Sequence, residues 1–117
     1  DIARFVELHT AREAAALAER YAVEVKAHFG SRLRRIVLYG SAARGDWAPE
    51  SDIDVLVLLD RVTRGDSDWL VTRAVALGLQ DTGVLLQPLF MAESEFVHLV
   101  DRERLFAIEV NREGRDL

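Results

Sequence analysis

A chain of 117 residues, half of them hydrophobic and holding only seven glycines and two prolines, has the length and composition of one folded domain, which excludes disordered, collagen-like and low-complexity classes. Fifteen lysines and arginines against 20 acids give a formal charge of −5, the wrong sign for a protein that lives on a polyphosphate backbone, so long nucleic acid is not the expected partner. Without cysteine there are no disulfides, no thiolate catalysis and no cysteine-bound zinc, and the apolar run Val55 to Leu59 is far too short to cross a bilayer, so a soluble, cytoplasmic protein is expected.

In chain order, Thr10 followed by Glu13 is a capping-box pattern, and Leu17, Tyr21, Val25 and Phe29 then recur every four residues until Gly30 stops the helix. Ile2, Phe5, Val6 and Leu8 also carry helical spacing, which predicts either a short preceding helix or one long bent one. Ile36 to Tyr39 forms a short buried strand feeding a tight turn at Gly40. Ile53 to Leu59, almost wholly apolar, predicts a central strand covered on both faces. After a polar connection, Leu70, Ala74 and Leu77 predict a helix over Asp66 to Leu79. Gly83 leads into a third strand, Val84 to Met91, and Pro88 within it cannot donate to a ladder, so that strand belongs at an edge or carries a bulge. From Glu93 to Asn111, the residues Phe96, Leu99, Val100, Leu105, Phe106 and Ile108 predict one or two short helices, with Gly114 as terminator. Helix, strand, strand, helix, strand, helix is an α/β or α+β domain with a small sheet of three or four strands.

The chemistry concentrates in one stretch. A strand ending in Gly40-Ser41 and turning straight into a short helix exposes unpaired backbone N–H groups beside a hydroxyl, a corner that attracts phosphate, and Arg44 lies about one turn further on. Asp52 and Asp54 open the next strand two residues apart, so their side chains share a face with Cα atoms roughly 6.6 Å apart while Ile53 points into the core. Two carboxylates so placed suit a hard cation, Mg²⁺ or Mn²⁺, and would repel each other without one. Separately, Gly-Ser is most often only a turn and Ser51-Asp52 a solvated cap; it is the joint pattern that speaks for a site. Trp47 either stacks on a nucleobase or covers the loop. Trp69 is expected to pack on a neighbour, and Arg32, Arg34 and Arg35 to flank a strand on its solvated side. His9, His28 and His98 have no ligand spacing.

Gly40-Ser41, Arg44-Gly45 and Ser51-Asp52-Ile53-Asp54 resemble the signature of the nucleotidyltransferase superfamily that includes DNA polymerase beta, kanamycin nucleotidyltransferase and the minimal nucleotidyltransferases, the last often partnered with HEPN-domain proteins in toxin–antitoxin pairs. The resemblance implies one nucleotidyltransferase domain over residues 1–117, with an N-terminal helical segment (1–30), a catalytic-type core (33–117), a mixed sheet and helices mainly on one of its faces. It also implies roles: Gly40, Ser41, Arg44 and Ser51 for the nucleoside triphosphate, Asp52 and Asp54 as catalytic metal ligands. The reaction implied is transfer of a nucleotidyl group, AMP from ATP, to a hydroxyl on a protein or small molecule. One departure stands out. The family's third carboxylate belongs on a neighbouring strand, where this chain offers Leu85 or Gln87, with Asp81 just before the strand as a possible substitute. The alternative implied is therefore a catalytically weak or inactive nucleotide-binding, antitoxin-like partner of a HEPN protein, and a homo-oligomer is the other assembly expected.

Overall fold

The computed structural model describes residues 5–102 and 104–117, and within these the side chains of all but 100–102 and 104. Ile2 and the side chain of Val100, both used above, lie outside the described residues. Helix α1 (Ala11–Phe29) begins where the capping box predicts: the Glu13 N–H donates to Thr10 Oγ1 and the Thr10 N–H to Glu13 Oε1, both at 3.1 Å. A 3₁₀ turn, Gly30–Arg32, leads to β1 (Leu33–Tyr39), then the one-turn α2 (Ser41–Arg44) and β2 (Ile53–Leu59). Helix α3 (Arg64–Val75) runs on into a π-helical turn, Ala76–Gln80, and β3 (Leu86–Ala92), α4 (Glu93–Arg102), α5 (Arg104–Glu113) and β4 (Arg115–Asp116) follow.

The four strands stand in the order β3-β2-β1-β4. Strand β1 runs antiparallel to β2 and β4, and β2 parallel to β3, so the sheet is small and mixed as expected. Alternation along the strands sorts the side chains into two cores. On one face, α1 and α3 bury the larger core over Ile36, Leu38, Ile53, Val55, Val57, Leu59 and Leu86. On the other, Phe96 of α4 and Val110 of α5 cover Val37, Leu56 and Leu58. Burial on both sides explains why β2 is nearly all apolar. Pro88 sits on the edge strand β3, where its missing donor costs least.

Four differences from the sequence reading have identifiable causes. Residues 5–9 are not helical: the Val6 N–H donates to the Asp81 carbonyl at 2.7 Å, tying the segment to the α3–β3 connection, and the capping box fixes the helix start at Ala11. Helix α3 starts at Arg64 because Thr63 and Asp66 form a second capping box. Strand β3 starts at Leu86, since Thr82 Oγ1 both accepts from the Val84 N–H and donates to the Gly78 carbonyl, holding a turn there. Strand β4, unforeseen, is two residues long and pairs with Val37 and Leu38. Among the described residues, no helix is long and apolar enough to cross a membrane.

Candidate nucleotide and metal site

The site is assembled where β1 ends and β2 begins. Gly40 adopts φ 73° and ψ −156°, a conformation essentially restricted to glycine, which turns the chain sharply from β1 into α2. The N–H groups of Ala43 and Arg44 both return to the Gly40 carbonyl at 3.1 Å, and Gly45, at φ 91°, closes α2 with its N–H on the Ser41 carbonyl at 3.0 Å. The amides of Ser41 and Ala42 open this turn of helix, and the residues one turn earlier are extended strand, so no intrahelical carbonyl faces them.

The loop back to β2 is held by Trp47. This indole is buried, and its Nε1–H donates to the Ser51 carbonyl at 3.0 Å while the Ser51 N–H donates to the Ala48 carbonyl at 2.8 Å. Of the two roles open to Trp47, the structure shows the loop cover. The loop delivers Asp52, exposed, and Asp54, half-buried, with Ile53 between them fully buried on the opposite face. In register, Tyr39 of β1 and Gln87 of β3 flank Asp54, so these three side chains form one row across the sheet. Asp54 also touches the Gly-Ser corner: a Cβ placed on Gly40 would lie 2.6 Å from Asp54 Oδ2, so the carboxylate rests against the bare α-carbon of the glycine.

Burial, then the charges of Asp52 and Glu109, push the Asp54 carboxyl above the usual carboxylate range, with only Arg44 acting the other way. Burial, with Asp54 and Glu109, likewise pushes the Tyr39 phenol up to about 12, so it is neutral at physiological pH. Arg44 is exposed and shares its guanidinium among Asp46 (3.5 Å), Glu109 (3.4 Å) and Glu113 (3.5 Å). Exposed pairs of this length contribute little each.

Gly40, Ser41, Asp52 and Asp54 are thus brought together, with Ser51 acting through its backbone in the loop and Arg44 turned towards acids. Gln87 fills the position beside Asp54 on the third strand. Asp81 does not reach the site; it lines a cleft with Val6, Leu8 and Leu17. Among the described residues, no group of three or more His, Asp or Glu side chains is arranged around one ion position. Asp52 and Asp54 offer hard oxygen donors and a surplus of negative charge, which a divalent cation would neutralise. The sequence reading missed Glu109, whose helical phase, three residues after Phe106, was legible, whereas the docking of α5 over this end of the sheet was not. Of the arginines flanking β1, Arg32 is bound to Asp60 and Asp66 and Arg35 to Asp116. His28 stacks on Trp69 with ring centroids 3.9 Å apart, a packing role for both.

The model of the nucleotidyltransferase domain matches residues 18–111. Two Methanocaldococcus jannaschii proteins to which protein adenylyltransferase activity is ascribed are similar to the chain: one is 33% identical over 93 residues, covering 80% of this chain and 86% of its own, and the other 30% identical over 80 residues, covering 68% and 80%. Among solved structures, a Sulfolobus solfataricus protein ascribed to the nucleotidyltransferases aligns with TM-score 0.52 at 21% identity over 91% of this chain and 80% of that one. A toxin–antitoxin structure containing AMP-PNP aligns with TM-score 0.54 at 19% identity over 84% and 70%, and supports the fold alone. The motif, the mixed sheet that presents it and the two close relatives converge: the chain belongs to the nucleotidyltransferase domain family.

Proposed function

We propose that the protein transfers AMP from ATP to a hydroxyl group on a protein or small molecule, with Mg²⁺ or Mn²⁺ as the cation. The observation that carries this reading is the contact between Asp54 and the bare face of Gly40, which puts the acid and the phosphate-seating corner side by side. In this reading Asp52 and Asp54 hold the cation, the Ser41 and Ala42 amides with the Ser41 hydroxyl seat the triphosphate, and Ser51 shapes the loop that presents Asp52. Arg44 exchanges its weak contacts with Asp46, Glu109 and Glu113 for the incoming phosphates. A bound cation supplies charge neutralisation at the phosphates. The residues themselves hold the α-phosphorus in line with the acceptor oxygen, and as that oxygen bonds to phosphorus the bond to pyrophosphate breaks. Relatives that carry an adenylyltransferase name support AMP as the transferred group. ATP supply supports a cytoplasmic location.

A second reading, a nucleotide-binding antitoxin-like partner of a HEPN-domain protein, draws on Gln87 in place of an acid and on the exposed apolar residues Val97, Leu105 and Ile108 of α4 and α5. Self-association through the same helices is the other assembly this surface would serve. The test mixes the protein with Mg²⁺, radiolabelled ATP and the protein encoded beside it, for wild type, Asp52→Asn and Asp54→Asn. Label transfer lost in both variants supports the enzyme; ATP binding with no transfer by wild type supports the partner role.

A further inference from the structure

The row of side chains at the site lacks an acid from β3, yet the sheet face that carries Tyr39, Asp54 and Gln87 is the face that α4 and α5 cover. Helix α5 is anchored there at two points. Val110 is fully buried on Val37, Leu56 and Leu58, and the Phe106 ring meets Tyr39 edge-on with centroids 5.5 Å apart. Residue 109 lies three positions after Phe106 and one before Val110, so the helix period carries its side chain to the side of the sheet where Tyr39 and Asp54 stand. One contact places the Glu109 carboxylate there: its Oε1 is 3.4 Å from Nη1 of Arg44, the arginine one turn past the Gly-Ser corner. It is half-exposed, with the side chain 37% accessible, so an acceptor can reach it from solvent.

We propose that Glu109 is the acid that β3 does not supply, the group that accepts the hydrogen bond of the acceptor hydroxyl. As the acceptor oxygen bonds to the α-phosphorus and the bond to pyrophosphate breaks, the hydroxyl proton passes to the Glu109 carboxylate. In this role Glu109 acts on the acceptor hydroxyl, while Asp52 and Asp54 hold the cation. Among the described residues, Asp46 and Glu113 share Arg44 with Glu109, Asp54 and the Tyr39 phenol stand side by side on the sheet face that α5 covers, and Arg112 lies about one turn along α5. When the triphosphate draws Arg44 away, Glu109 is left unpaired at the mouth, available to an acceptor only once nucleotide is bound. Glu113, one turn further along α5, touches the same arginine at 3.5 Å and serves as the matched control.

This inference rests on the nucleotidyl-transfer reading, and the experiment keeps the two apart. Transfer of labelled AMP to the protein encoded beside this one is measured for wild type, Glu109→Gln, Glu109→Asp, Glu113→Gln and Asp54→Asn, together with the Kd for Mg²⁺-ATP of each. The expected result is a fall in kcat of about 100-fold or more for Glu109→Gln, within the range of general-base losses, with a Kd within threefold of wild type. Glu109→Asp recovers at least a tenth of the rate, and Glu113→Gln stays within threefold. Glu109→Gln transferring at the wild-type rate, or losing affinity and melting temperature together, overturns the proposal. Asp54→Asn with unchanged binding and transfer, or wild type with no transfer, sinks the underlying site reading and this assignment with it.

Discussion

Substituting Gly40 by alanine tests the heart of the site against a built-in control. Gly40 and Gly30 occupy similar glycine-only regions, φ 73° and ψ −156° against φ 56° and ψ −129°. An L side chain in such a conformation costs about 1–3 kcal/mol, which lowers the melting temperature of a domain of this size by about 4–12 °C. Both alanine variants therefore lose stability. Their surroundings differ: a Cβ on Gly30 meets nothing within 4 Å, whereas on Gly40 it meets Asp54 Oδ2 at 2.6 Å. To regain an ordinary contact of 3.4 Å the Asp54 carboxylate must retreat by about 0.8 Å. A shift near 1 Å in a catalytic group costs about 100-fold in rate. Gly40→Ala should thus lose about two orders of magnitude in transfer and show weakened Mg²⁺-ATP binding by calorimetry, while Gly30→Ala keeps both. Equal nucleotide binding in the two variants, at comparable loss of melting temperature, would refute the claim that Asp54 is seated by that glycine.

Three further outcomes follow from the electrostatics and the core. The Arg32 guanidinium, hydrogen-bonded at 3.1 and 2.7 Å, holds the Asp66 carboxyl far below the usual range, so the pair stabilises the fold at neutral pH and that gain fades as the pH drops below about 4. Asp66→Asn should cost about 2–3 kcal/mol in urea unfolding at pH 7 and flatten the acid limb; a loss below about 0.5 kcal/mol would contradict the pairing. Asp54 has the opposite sign: its raised carboxyl means that the unfolded chain gives up the proton first, so above the native pKa the charge weighs against folding. The metal-free Asp54→Asn protein should melt higher than wild type at pH 7, and Mg²⁺ should raise only the wild-type value; an equal or lower melting temperature in the variant speaks against this. Tyr21→Phe removes a buried hydroxyl that donates to the Leu70 carbonyl at 2.9 Å, and differential scanning calorimetry should record a loss of about 1 kcal/mol, or about 4 °C; an unchanged transition would show that bond to be without net value.

Legibility followed the range of the interactions. The cap of α1 was readable because Thr10 and Glu13 satisfy each other's backbone within one turn, although the spacing of Phe5, Val6 and Leu8 also allowed a longer, bent helix. The bounds of β2 followed from its unbroken apolar run, and the placement of Asp52 and Asp54 opposite Ile53 from the two-residue period of a strand. Pro88 announced an edge strand because it lacks a donor wherever it is placed. What escaped depends on partners far along the chain. The extended path of residues 5–9 is set by a bond to Asp81 and β4 by pairing with Val37 and Leu38. The same holds for the site: the Gly-Ser corner and the acid pair are local patterns, but which acid of α5 would stand over them depends on how Phe106 and Val110 dock.

The two indoles also have an optical consequence. Trp47, sealed inside the loop of the motif, should emit at short wavelength and be sheltered from soluble quenchers, whereas Trp69 lies partly exposed, flat against the His28 imidazole and edge-on to Phe29. One probe therefore reports from the place where a nucleotide would arrive and the other from the α1–α3 seam. A single emission spectrum can follow ligand arrival and unfolding as separate signals, with no dye attached.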